Sequence, residues 1–183
     1  MEYDLFEHRH RFSVWAAARA AQRKYTASID NLRAALESTD LRKFISESAD
    51  GTITDLVFQE HHQKWCSEIV GFLNKLEIPN TFFGRAAKLV AVYIKSMVVV
   101  GLHSTTELAA VAHPPIDRIL LQSLCRDPRL PTKVRQTFRK TSWTTLEEQP
   151  YYDLIRLIKE HVSDCRPFWR LERHWTVTQD GDS

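Results

Sequence analysis

Apolar residues recur at three- and four-residue intervals along nearly the whole chain, the spacing of one buried face on an α-helix. Residues 5–24 place Phe12, Trp15, Ala16 and Ala20 on one side, with Arg9, Arg19 and Arg23 elsewhere. Thr26 or Ser28 supplies an N-cap for a second helix with Ile29, Leu32 and Leu36 turned inward. A short helix over 41–46 precedes a turn at 49–52. The longest amphipathic segment, 55–76, carries a stripe of Val57, His61, Trp65, Ile69, Phe72 and Leu76, and Pro79 ends it. Asn80 or Thr81 opens the next helix, which runs to about Gly101. Ser104 and Glu107 have capping-box spacing.

Further along, Ile116, Ile119, Leu120 and Leu124 define a helix that stops before Asp127-Pro128. Pro131 starts a basic helix, and Thr145 with Glu148 offers another cap. Tyr152, Ile155, Leu157 and Ile158 mark a helix over about 150–162, and Pro167 opens a last short one. Only 52–57 hints at a strand, and no internal repeat is present. The architecture these patterns imply is all-α: eight or nine helices packed in one domain over 1–175, of one or two lobes, with a disordered tail over 176–183.

Composition supports a packed core, with 43% hydrophobic residues, 26% charged residues and only five glycines in 183. A net charge of +2 excludes binding driven by bulk charge, but the charge is uneven. Arg126, Arg129, Lys133, Arg135, Arg139 and Lys140 stand against Asp127 alone, while acids gather between Glu37 and Glu77. Three well-separated cysteines, Cys66, Cys125 and Cys165, and an acidic N-terminus unlike a signal sequence point to a reducing, cytoplasmic setting. The apolar run 90–102 is interrupted by Lys95 and is too short to span a bilayer, so no membrane partner is expected.

The run from Ala112 to Leu121 puts two prolines and then one carboxylate at the start of an apolar helix. Proline is favoured in a first helical turn, and a carboxylate there sits at the positive end of the helix dipole. Asp117 is therefore read as a first-turn residue with a fixed position. The segment 78–90, Ile-Pro-Asn-Thr-Phe-Phe-Gly-Arg-Ala-Ala-Lys-Leu-Val, followed by an apolar helix and then by His113-Pro114-Pro115-Ile116-Asp117-Arg118, resembles the core of the helix-hairpin-helix DNA glycosylases over about residues 70–125. In that superfamily a glycine-rich hairpin grips the DNA backbone and the next helix start supplies a catalytic aspartate. The resemblance implies an all-α, glycosylase-like fold and excision of a damaged or modified base, with the hypermodified DNA of an invading phage one candidate substrate. It assigns Asp117 to the oxocarbenium-like state or to an attacking water, and sets Lys88 and Arg85 near the hairpin's basic positions. Only Gly84 remains of the hairpin glycines.

Around that core the residues suggest further roles. Lys88 is a candidate amine nucleophile if it is buried beside Asp117, or otherwise an ordinary lysine of a solvated helix face, which makes monofunctional hydrolysis the default. Lys133, Arg135, Arg139 and Lys140 are candidates for phosphate contacts. His8, Arg11 and Trp15 share one helix face and, with Trp143 in a polar turn, are candidates for a base pocket. His62 and Cys66 have two-ligand spacing, with His61 beside them, but no second ligand cluster accompanies them, so neither metal nor cofactor is expected. The main alternative is a non-catalytic helical module that binds nucleic acid or a protein; an all-α protein acting on RNA lacks any defensible nuclease motif. DNA is the expected partner and a monomer the expected state.

Overall fold

The computed structural model describes residues 3–48, 52–163 and 165–175. Among these residues the fold is all-α, with no strand. The elements run α1 (Leu5–Ala21), α2 (Ile29–Glu37), α3 (Leu41–Glu47), α4 (Asp55–Lys75), α5 (Phe83–Ile94), a π-helical continuation of α5 (Lys95–His103), α6 (Glu107–Val111), α7 (Arg118–Arg126), α8 (Thr132–Lys140), a single 3₁₀ turn (Trp143–Thr145), α9 (Glu148–His161) and a closing 3₁₀ segment (Phe168–His174). The tail assigned to 176–183 and most of the turn at 49–52 lie outside the described residues.

Several ends follow the local chemistry read from the sequence. Ser28 caps α2 through a reciprocal box with Asn31. Pro131 immediately precedes α8. Others differ. Thr54 caps α4, so the strand expected at 52–57 is a helix start instead. The stop of α4 comes before Pro79: Glu77 takes φ 56°, and the Ile78 and Glu77 amides donate to the Leu73 and Asn74 carbonyls, a Schellman closure. Thr106 rather than Ser104 caps α6, and the Glu107 carboxylate accepts from the Ile53 amide. Thr145 spends its hydroxyl on the Ser142 carbonyl, which leaves α9 without a side-chain cap.

Two helices bury a different face from the one their large apolar residues suggest. In α1 the buried positions are Glu7, His10, Ser13, Val14, Ala17, Ala18 and Ala21, while Phe12 and Trp15 point to solvent. α1 packs against α5, which carries Ala86 and Ala87 in its own buried face. Small side chains allow close approach of the two backbones, and close packing outweighs the burial of two aromatics. In α4 the inward set is Phe58, His62, Trp65, Cys66, Ile69 and Leu73, a stripe rotated by about one residue, and Leu76 is exposed. Trp65, Tyr93, Tyr151, Phe58 and Phe138 anchor the shared core.

Candidate functional site

Asp117 is the N-cap of α7, one position before the first turn. Pro114 and Pro115 do not enter the helix; they form a buried extended lead that delivers Asp117 to its cap. The side chain is held by three donors. Its Oδ1 accepts from the Leu120 amide at 3.0 Å, and its Oδ2 accepts from Lys88 Nζ at 3.2 Å and from Trp175 Nε1 at 3.0 Å.

Lys88 comes from α5, one turn after Arg85, so the two side chains share a helix face. Its ammonium also lies 4.5 Å from the centre of the Trp143 ring. Burial pulls the lysine pKa below its ordinary value, and the neighbouring Asp117 opposes that pull only in part. Trp143 is positioned by Gly84. A Cβ at residue 84 would stand 2.1 Å from the Trp143 carbonyl oxygen, so only glycine lets the 3₁₀ turn lie on α5.

These residues floor a cleft of about 850 Å³. Its rim holds Arg23, Lys24, Arg118, Arg126, Arg139 and Lys140, none of them in an ion pair among the described residues. Asp117 is the one acid in the lining. A positive rim around a recessed lysine–carboxylate pair concentrates field on any polyanion that enters.

The structure brings some of the predicted site residues together and separates others. Asp117, Lys88, Trp143, Arg139 and Lys140 meet in the cleft. Arg85 also lines it, but the residue is 8% exposed and its guanidinium donates to the carbonyls of Ala21, Arg23 and Lys24 at 3.3–3.4 Å. It caps the C-terminal end of α1 and stacks over Tyr25, so both of its terminal nitrogens are spent on main chain, while its Nε is buried without a partner. Lys133 and Arg135 lie on α8 outside the lining, because only the last turn of that helix reaches the cleft. His8, Arg11 and Trp15 are not beside Asp117. They occupy the exposed face of α1, where His8 meets Tyr3 and Arg11 pairs with Glu7. Gly84 is the second residue of α5 and gives its amide to the Leu146 carbonyl at 2.8 Å, so that amide is not offered to a phosphate.

Sequence reasoning overlooked Arg23, Lys24 and Arg118, left Arg126 as one of a basic run, and did not connect Trp175 with Asp117. Arg118 and Arg126 had a usable signal, since Arg118, Gln122 and Arg126 fall at four-residue intervals on α7. Lys24 takes φ 51°, which turns the chain after α1 and carries both rim cations to the cleft.

Away from the cleft, His62 and Cys66 are buried together with Tyr152, whose hydroxyl shares a 2.9 Å hydrogen bond with His62 Nδ1. His113 pairs with the Tyr151 hydroxyl at 3.2 Å. Burial depresses both histidines, His62 to about 3. Among the described residues no three His, Cys, Asp or Glu side chains converge as a metal site, and no helix is long and apolar enough to cross a membrane.

The chain matches no family model, no curated protein and no solved structure. What it does must be argued from the cleft.

Proposed function

We propose that the chain is a DNA N-glycosylase working in this cleft, with Asp117 and Lys88 as its catalytic residues. One juxtaposition carries the reading: the Lys88–Asp117 pair lies on the floor, and six cations without acidic partners among the described residues line the rim. Phosphates are the polyanion such a rim suits, and they fix register without reading sequence. Trp143, expected in an open polar turn, is instead 8% exposed with Lys88 over its ring, so it backs the floor of the cleft rather than presenting a free stacking face.

In this reaction the C1′–N bond breaks and its electron pair leaves with the base. A water oxygen forms the new bond to C1′, and its proton passes to the departing base or to solvent. Positive charge grows on the sugar as the bond stretches, and a carboxylate held in one orientation lowers that barrier without reorganising. The Leu120 amide, Lys88 and Trp175 provide the fixed orientation. Lys88, 3.2 Å from Asp117 on the same floor, is the candidate amine nucleophile: once its ammonium has given up a proton, its nitrogen can attack C1′ in place of water as the base leaves.

One observation favours a second reading, a non-catalytic DNA-binding cleft. Both oxygens of Asp117 already have internal donors, as they would in a purely structural cap. The test is to incubate the protein with undamaged, oxidised, alkylated, deaminated and phage-derived hypermodified DNA and to identify free bases by mass spectrometry. Release that disappears in Asp117→Asn and falls in Lys88→Gln, with DNA binding retained, supports the glycosylase. Salt-dependent binding with no release from any substrate leaves the second reading.

A further inference from the structure

The outward face of α1 does nothing for the core. Phe12 and Trp15 are 57% and 50% exposed, and their rings lie 5.9 Å apart. His8 and Tyr3 extend the same surface toward the N-terminal end, with the Arg11 guanidinium 4.9 Å above the Tyr3 ring. His8, Phe12, Trp15 and Arg19 follow helical spacing along one face, and the next position in that series is Arg23 at the cleft rim. At 1.5 Å per residue, Trp15 stands about 9 Å along α1 from its last residue, Ala21, and Arg23 follows two residues beyond. No acid occurs between Glu7 and Asp30, and Glu7 is itself held by Arg11 and Arg42. Exposed aromatics that run without a break into arginines with no acidic partner among the described residues match one ligand chemistry: unstacked bases on a phosphate backbone. An apolar partner would leave Arg19 and Arg23 without counter-charges.

We infer that this face of α1 is a stacking track for a single-stranded DNA flank leading into the cleft, an inference that rests on reading the cleft as a DNA site. The bases stack on Trp15 and Phe12, and Arg19 and Arg23 follow the backbone.

Fluorescence anisotropy with a labelled blunt duplex, and with the same duplex carrying a single-stranded dT overhang on either strand, tests it. The wild-type chain is expected to bind one overhang form more tightly than the blunt duplex. The double variant Phe12→Ala, Trp15→Ala is expected to lose that gain, by at least about fivefold, while binding the blunt duplex as before. Equal affinity of the double variant and wild type for the overhang form overturns the track. If sedimentation shows a self-associating wild type, and the double variant loses self-association with overhang binding unchanged, the face joins two copies and the inference falls. Arg139→Glu, Lys140→Glu reports separately on the cleft: if it weakens neither probe, the cleft reading fails, whereas a collapse of both probes with no effect of the aromatic variant removes only the track.

Discussion

Acidification from about pH 6.5 to 5 is expected to weaken the native state through His62. The ring is fully buried, stacked on Tyr151 at 5.4 Å between centres and hydrogen-bonded to Tyr152. Its pKa falls from 6.5 to about 3 on burial. The unfolded chain is then the better proton binder, so the stabilisation is complete above about pH 6.5 and is lost as pH falls toward 3. Each pH unit in that interval is worth about 1.4 kcal/mol. At pH 5 the loss from His62 alone is about 2 kcal/mol, a large part of the roughly 5–15 kcal/mol that holds a domain folded. His113, depressed by the same burial, works in the same direction. The lowered carboxylates, Glu7, Asp40 and Asp127, start from unfolded values of 4.5 or below, so their contributions fade only at lower pH. His62→Phe keeps a ring of similar size and removes the titration. Urea unfolding at about pH 7 and pH 5 should show wild type losing about 2 kcal/mol more than the variant. Equal losses would refute the claim that His62 is held neutral in the core.

Three further outcomes are expected. Asp117→Asn leaves the Lys88 ammonium without its carboxylate in a site where both side chains are about nine-tenths buried, so urea unfolding should register a loss of about 3 kcal/mol; a loss well under 1 kcal/mol would mean the pair is solvated. Gly84→Ala drives a Cβ into the Trp143 carbonyl, so it should lower the melting temperature and shift tryptophan emission as the 3₁₀ turn leaves α5, and an unchanged spectrum counts against that contact. Arg139→Gln with Lys140→Gln should reduce the slope of log affinity against log salt by about 2, because two phosphate contacts are lost, and an unaltered slope would place the DNA elsewhere.

Helix positions were legible because prolines and caps act locally: Ser28, Pro131 and the apolar spacing of α4, α7 and α9 each specify structure within one turn. Which face turns inward was harder to read. Phe12 and Trp15 carry far more apolar surface than the alanines, yet the spacing between α1 and α5 is set by what two backbones can approach, and that depends on a partner helix some seventy residues away. The π-helical stretch Lys95–His103 likewise has no local marker; Arg9 lies against Gly101 there, where a Cβ would come within 2.9 Å of its guanidinium. At the site, Asp117 was legible as a carboxylate at a helix start, though read one position too far into the helix, and Lys88 was singled out only through the resemblance; their 3.2 Å contact spans 29 residues. Trp175 joins them from 58 residues beyond Asp117, a distance no local spacing encodes.

Arg85 has a mechanical consequence for the cleft. Its guanidinium is bonded to the main chain that bears Arg23 and Lys24, and its own backbone belongs to the helix that bears Lys88. An anion tugging on the rim therefore tugs on the same rod that carries the floor. That side of the mouth cannot draw away from Lys88 without breaking those bonds or tilting α5. The main chain that carries Arg23 and Lys24 is thus placed when the chain folds, and an entering ligand has less backbone ordering left to impose there.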